Sequence, residues 1–310
     1  GGGLIGAAAA LSLSKMGYQV TILEKNQTYN PKKNTNDKRT VAISEGTKLF
    51  LSKMGIWSNI SKFSEPIISI KIVDRNISND LNFDNKRRNS NLGYIVKNKD
   101  VLNELYKWLN KQKNIKIFIK INIKNIKNSN ESSLIFTEKY KFNSDLNIVS
   151  DGKNGTSKNI LKTNFFLKDY KKKALVINFS HSKSHKNTAF EFFYKDGPLA
   201  ILPMKSENEE NLSSIVWTNT NNYFEKLTQL DNNILKLILD KKTQKCIGNI
   251  KKIYSKQLFP LTAHLNTKFY EKRTIYIGDA AHSFHPIAGQ GWNLGMKDIE
   301  CLNTIAKNYK

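Results

Sequence analysis

Hydrophobic and polar positions along the chain follow two periods, and the switches between them outline the elements. Ala7–Met16 is an unbroken run of strong helix formers that follows three closely spaced glycines, Gly1-x-Gly3-x-x-Gly6. Gly17 stands where a helix C-terminus favours a residue tolerant of positive φ. Tyr18–Leu23 then alternates with period two, which predicts a strand ending at Glu24. After a polar loop over Asn26–Lys38, Ser44 is a candidate N-cap for a helix running through Met54 and closed by Gly55. Asn98–Gln112 is amphipathic, with Val101, Leu102, Leu105, Tyr106 and Leu109 on one face. Strand-like alternation continues through Ile126 and returns at Leu134–Phe136, and the short apolar run Leu146–Val149 leads directly to Asp151-Gly152. Residues 163–258 are rich in β-type runs (Ala174–Phe179, Ala189–Tyr194, Ser214–Thr218), with one helix predicted over Asn221–Lys241. Thr274–Ile277 reads as a buried strand that stops at Gly278-Asp279, and from Gly291 onward the pattern is helical again. No internal repeat is present.

Composition narrows the class. With 39% hydrophobic residues over 310 positions, the chain can bury a core and is long enough for two domains. No apolar run approaches the ~20 residues that a spanning helix needs. Cys246 and Cys301 are too few for a disulfide framework or a zinc site, which suits a reducing, cytoplasmic setting. The formal charge of +24 would ordinarily suggest nucleic acid. Here the lysines are spread among asparagines and isoleucines, as in 115–124, in the manner of AT-rich codon bias, so no nucleic-acid partner is expected. Weak attraction to anionic lipid headgroups stays open. The chain opens on Gly1-Gly2-Gly3 without a signal peptide and stops inside a predicted helix, so it reads as a fragment lacking both ends.

Two clusters carry chemistry. In GxGxxG the first glycine (Gly1) makes a tight turn and the second (Gly3) lets the backbone approach a pyrophosphate. The third (Gly6) lets helix and strand pack closely, and the helix N-terminus offers free N–H groups to phosphate. Glu24, 18 positions past Gly6 and at the end of the next predicted strand, is placed to accept hydrogen bonds from an adenosine ribose. The second cluster is the stretch 278–298. Its Asp279 could accept from a sugar-alcohol hydroxyl, and the bare N–H groups near Gly289–Asn293 could stabilise negative charge. His282-x-x-His285 lacks a carboxylate or thiol cluster of ligand spacing, so no metal is expected.

The block GDAAHxxHPxxGQGxNLGxxD at 278–298 resembles the flavin-binding motif of FAD-dependent aromatic hydroxylases of the para-hydroxybenzoate hydroxylase fold. The branch it is most similar to is the UbiH/UbiF-like hydroxylases of ubiquinone biosynthesis. Arg39-Thr-Val-Ala-Ile-Ser44, Leu51-Ser-Lys-Met-Gly-Ile-Trp57, Gly197-Pro-Leu-Ala-Ile-Leu-Pro203 and Ile215-Val-Trp-Thr218 resemble further segments of that branch. One stretch departs. The family's DGxxSxxR motif reads Asp151-Gly152-Lys153-Asn154-Gly155-Thr156-Ser157-Lys158, with Gly155 in place of serine and Lys158 in place of arginine. Lysine does not replace arginine at a bidentate contact, so the departure bears on nicotinamide more than on flavin binding. A shifted register that gives Ser157 the serine's role is the alternative.

The resemblance implies an α/β fold: a Rossmann-like FAD-binding domain (1–64, 93–162 and 259–310) with an inserted mixed-sheet substrate domain (65–92 and 163–258). It implies FAD as cofactor, NAD(P)H and O2 as co-substrates, and ring hydroxylation of a polyprenylated phenol through a C4a-hydroperoxide of the flavin. The absence of a second GxGxxG fits a transient hydride donor bound on the flavin domain. The implied cofactor-binding residues are Gly1, Gly3, Gly6, Glu24, Arg39, Asp151, Gly152, Gly278, Asp279, Pro286, Gly289, Gly291 and Asn293. Pro286, Gly289, Gln290 and Gly291 shape the flavin face and stabilise its N1–C2=O edge, and are the residues nearest to a catalytic role. His282 and His285 could relay protons, with core packing or a loop hydrogen bond as the competing role. Phe190, Phe192, Phe193, Leu199, Ile201 and Leu202 are candidates for a greasy substrate pocket, against the reading that they are strand core. The implied setting is cytoplasmic and admits peripheral contact with the inner membrane and with other ubiquinone-biosynthesis proteins. Two alternatives remain: a flavin monooxygenase of the same fold acting on another aromatic or lipid compound, and an inactive FAD-binding scaffold subunit.

Overall fold

In the computed structural model, residues 1–26, 37–74, 81–85, 90–284 and 289–308 are described. The helix Leu4–Lys15 is sheathed by two others, Asn98–Leu109 and Gln290–Lys307. Its alanines 7–10 are buried, and their small side chains let the neighbouring backbones approach closely. Leu11, Leu51, Ile60, Val101, Leu105 and Ile299 complete this core. The helix starts at Leu4, ahead of the alanine run. The glycine loop therefore supplies its first turn, and the N–H groups of Leu4, Ile5 and Gly6 precede the first intrahelical bond, Ala7 N–H to Gly3 O. Val20–Leu23 lies parallel to Ile115–Phe118, and Asn147–Val149 parallel to Thr274–Tyr276, so the strand ends that carry Glu24, Asp151 and Asp279 point the same way as the loops that follow them.

Among the described residues, an eight-stranded mixed sheet forms the second layer. Its order is His282–Ser283, Ile250–Asn266, Phe165–His181, Glu210–Thr220, Gly197–Glu207, Thr188–Tyr194, Ser69–Asp74 and Leu81–Asp84. All neighbours are antiparallel except Ser69–Asp74, which runs parallel to Thr188–Tyr194. Ile250–Asn266 crosses positions 258 and 259 without a break. A small antiparallel sheet of Thr40–Ile43, Gly93–Lys97 and Glu65–Ile67 packs between the two layers. The fold is α/β, with a parallel nucleotide-type layer and a large mixed sheet.

One face of the eight-stranded sheet is dry. Leu175, Ile177, Phe179, Phe190, Phe192, Leu199, Ile201, Ile215 and Trp217 pack there against Phe224, Leu227, Leu235 and Leu239 of two helices. Those helices correct the expectation of a single one over Asn221–Lys241. Thr220 caps Asn221–Thr228, and Asp231 caps Asn232–Ile247 by accepting the Asn233 N–H at 2.7 Å. An aspartate competes well for a new helix start, and it restarts the chain in a second direction. The alternation read through Ile126 is likewise two strands of different sheets, Ile115–Phe118 and Ile123–Asn128, separated by a turn with Lys120 at φ +59°. The Ser44 cap forms as expected, accepting from Thr47 N–H.

Candidate cofactor and substrate site

A cavity of about 2050 Å³ lies between the nucleotide layer and the open face of the eight-stranded sheet. Its floor begins at the glycine loop. Gly1 and Gly3 line it, and a Cβ at position 3 would meet open space. A Cβ on Gly6 would fall on the Gly1 carbonyl oxygen, so only glycine lets the turn fold back on the helix. Glu24 accepts the Gly2 N–H at 2.5 Å on one carboxylate oxygen and the Asn26 N–H at 2.9 Å on the other. Its carboxylate thus sits at the strand end and locks the loop that would carry a pyrophosphate. Tyr106 donates to the Gly2 carbonyl at 2.9 Å from beneath, and its burial pushes the phenol pKa well above the usual range.

The second wall is built from Asp151 and its loop. Asp151 Oδ2 accepts the Ser157 N–H at 3.0 Å, while Oδ1 is buried and without a partner among the described residues. Gly155 is required by this arrangement, because a Cβ there would overlap the Asp151 carboxylate. Ser157 therefore acts through its backbone rather than through a displaced hydroxyl. Lys158 is turned away from the cavity. Its Nζ donates to the Lys153 carbonyl at 3.0 Å and lies 3.2 Å from His264 Nε2, whose Nδ1 is 3.1 Å from Ser283 Oγ. Burial lowers the pKa of both Lys158 and His264; the Lys158 charge depresses His264 further, and Lys153 adds to the lowering of both.

Asp279 reaches into the same space, and its pKa is raised by burial against the opposing pull of His282 and Arg39. Gly278 is buried behind it, its N–H donating to Asp298 Oδ2 at 2.7 Å. The same oxygen lies 2.9 Å from His282 Nε2, which fixes that histidine as a loop hydrogen-bond partner. Among the described residues no cluster of three metal-ligating side chains occurs. Arg39 lines the cavity but shares its charge with Asp37 through bonds of 2.9 and 2.8 Å and lies over the Phe259 ring at 5.4 Å. Although burial favours its neutral form, the Arg39 hydrogen bonds and charge hold the Asp37 carboxyl low.

Gly289 is left-handed, φ +62°, and begins the last helix without a side-chain cap. A Cβ there would lie 2.7 Å from that of Ala42. Gly289 and Gly291 line the cavity, and Gly291 adjoins Asp279. Gln290 is exposed and stands outside the lining. Asn293 spends its amide on the scaffold: Oδ1 accepts Ser44 N–H at 2.9 Å, and Nδ2 donates to the Ala42 and Gly289 carbonyls at 2.7 and 3.2 Å. Trp292 Nε1 is a buried donor on the cavity wall with no partner among the described residues. Pro286 and His285 lie outside the described residues. Gly152 also lines the space, so of the remaining expected residues only Gly278 and Gln290 stand back from it.

The roof is the open sheet face. Ala174, Val176, Glu191, Pro198, Ala200, Leu202, Val216 and Thr218 line it. Of the six residues expected to form a greasy pocket, Phe192, Leu199 and Ile201 belong to the dry core beneath the helices, Phe190 packs in that core and also borders the cavity, Phe193 is exposed, and Leu202 lines the cavity. Strand alternation is the reason, because the large side chains took the parity that the helices cover.

An open turn at a helix start, an orphaned carboxylate oxygen and an orphaned indole N–H, all facing one long cavity, fit a dinucleotide cofactor. The sequence profile described as the FAD binding domain matches residues 1–308. The chain belongs to this FAD-binding family. It is 25% identical over 303 residues to the ubiquinone hydroxylase UbiL of Rhodospirillum rubrum, covering 97% of this chain and 70% of that one. It is 24% identical to the ubiquinone hydroxylase UbiM of Neisseria meningitidis, covering 97% and 66%. With the 3-demethoxyubiquinol 3-hydroxylase of Escherichia coli it shares 23% identity, over 100% of this chain and 79% of that one. The chain thus spans roughly two thirds to four fifths of the length of these relatives. Among solved structures, p-nitrophenol 4-monooxygenase PnpA from Pseudomonas putida superposes with a TM-score of 0.78 at 17% identity, over 98% of this chain and 77% of that one. The pqsL protein from Pseudomonas aeruginosa does so with a TM-score of 0.80 at 12% identity, over 98% and 83%.

Proposed function

We propose that this protein is an FAD-dependent monooxygenase that hydroxylates the aromatic ring of a polyprenylated phenol in ubiquinone biosynthesis, with NAD(P)H and O2 as co-substrates. The observation that carries the reading is the continuity of one cavity from the glycine loop to an apolar sheet face. The names of the relatives supply the substrate class.

FAD, when bound, supplies the redox chemistry, and the protein supplies orientation and exclusion of water. Gly1, Gly3, Gly6 and the first turn of the following helix would take the pyrophosphate. Glu24, already held at the loop, would face the ribose. Asp151, Gly152 and Asp279 would meet the ribitol side, and the N–H groups that open the last helix after Gly289 would stabilise charge at the far edge of the ring system. Arg39 would keep that edge positive. On this reading residues 1–64, 93–162 and 259–310 serve the flavin and 65–92 and 163–258 the substrate, with the strand Ile250–Asn266 continuous across the two. A lysine-rich surface and a lipid-tailed substrate suit peripheral contact with the inner membrane; among the described residues, no helix is long and apolar enough to cross one.

The test uses the protein as its gene encodes it, purified under reducing conditions. Its visible spectrum is recorded before and after anaerobic NADPH, with and without a 2-polyprenylphenol. A yellow protein that bleaches faster with the phenol is the expected result. A yellow protein that never bleaches would identify a scaffold, which the withdrawal of Lys158 from the cavity would then explain. A colourless one that recovers no FAD overturns the reading.

A further inference from the structure

The roof of the cavity contains one ionisable side chain that the roles above leave unused. Glu191 sits in the strand Thr188–Tyr194 between Phe190 and Phe192, both of which point into the dry core. Parity turns Glu191 the other way, into the cavity. Register continues across the sheet from Glu191 to Ala200, Val216 and Val176, and all four line the cavity. A lone carboxylate therefore stands in a row of small apolar side chains, half-buried, with no hydrogen bond or ion pair to any described residue. Burial alone pushes its pKa up to about 7. On the neighbouring strands the described positions of the same face are Ile70 and Ile72, Pro198, Ala200 and Leu202, and Val216 and Thr218, none of them titratable. By register the next carboxylate position is Asp74, opposite Phe193. The other charged residues that line the cavity are Glu24, Lys25, Lys99, Asp145, Asp151, Lys153, Arg273 and Asp279, together with Arg39 paired to Asp37.

An isolated acid set among apolar side chains on the face that a substrate would meet is costly unless the ligand uses it. We infer that Glu191 is the catalytic base that receives the hydroxyl proton of the bound phenol. The assignment rests on the proposed function. The phenol O–H bond breaks, its proton passes to a Glu191 carboxylate oxygen, and the electron pair left behind is delocalised to the ring carbons ortho and para to the hydroxyl. One of those carbons forms the new C–O bond with an oxygen atom from O2. The other oxygen atom leaves as water at the expense of NAD(P)H, with one proton taken up from solvent. Loss of the proton from the oxygenated carbon restores the ring, and Glu191 returns its own to the original hydroxyl. A base titrating near neutrality suits this task better than an ordinary carboxylate.

The experiment compares the wild-type holoenzyme with Glu191→Gln, using a 2-prenylphenol and its O-methyl ether as probes. In the wild type the phenol should bind about tenfold more tightly at pH 8 than at pH 6, because only the carboxylate accepts its proton strongly. The ether, having no proton to give, should not tighten. In Glu191→Gln, with FAD content unchanged, phenol binding should be flat with pH. Single-turnover hydroxylation should fall on the order of 10²–10⁴-fold and lose its rise through pH 7. A variant that retains the wild-type pH dependence of binding and rate overturns the assignment and leaves the proposed function standing. So does a wild type in which the ether tightens as the phenol does. A wild type that binds FAD but neither binds nor hydroxylates any phenol overturns both.

Discussion

At the scale of single residues, the loop at 151–158 shows how a departure from a family pattern can be internally compensated. Gly155 gives up its side chain to the Asp151 carboxylate, and the Ser157 N–H holds that carboxylate in place. Restoring the family's serine by Gly155→Ser should therefore harm this protein. The new Cβ must displace Asp151, with an overpacking cost of roughly 1–3 kcal/mol, read as a lower Tm and weaker retention of FAD on dialysis. The glycines and Glu24 were legible in the sequence because their chemistry is local: a turn, a helix start and a carboxylate at a fixed distance along the chain. Asn293 was legible only as a motif member. That two of its three hydrogen bonds go to Ser44 and Ala42, beside the local one to Gly289, depends on a strand some 250 residues away. Glu191 left a signal that could have been used, since a single acid among alternating phenylalanines and an alanine is unusual in a buried strand. Its meaning needed the face, and the face needed the helices.

At the scale of elements, strong local punctuation was read correctly and weak punctuation was not. Ser44, Gly17 and Gly55 mark helix ends by chemistry that neighbours do not change. Lys120 carries no turn signal, yet it takes φ +59° and separates two strands. Asp231 is a helix-starting residue that a long apolar-periodic stretch disguised. Its cap makes a direct prediction. Asp231→Ala should remove the bond to the Asn233 N–H and cost about 1 kcal/mol, lowering Tm by a few degrees while leaving flavin content intact. A loss of bound FAD in that variant would mean that the helices under the sheet also govern the nucleotide layer.

At the scale of the whole molecule, the charge of +24 suits an anionic lipid surface. Attraction to anionic headgroups is a screened surface effect. The protein should therefore co-sediment with vesicles containing phosphatidylglycerol at low ionic strength, bind neutral vesicles weakly, and be released from the anionic ones by about 0.5 M salt. Equal binding to both kinds of vesicle would shift the weight to exposed apolar side chains such as Phe166, Leu167 and Tyr270.

The eight-stranded sheet assigns its two faces by parity, one to the helices and one to the cavity. A consequence follows for how such a protein can diverge. Substitutions at 174, 176, 200, 216 or 218 reshape the enclosure around a substrate without touching the dry core under the helices. Their alternates at 175, 177, 199, 201, 215 and 217 offer no such freedom. Tolerance in a saturation scan should consequently oscillate with a period of two along each strand. A single-residue insertion in any of them should be worse than nearly any replacement, because it exchanges the two duties along the rest of the strand. New substrate preferences can then accumulate in small steps, at nearly constant stability.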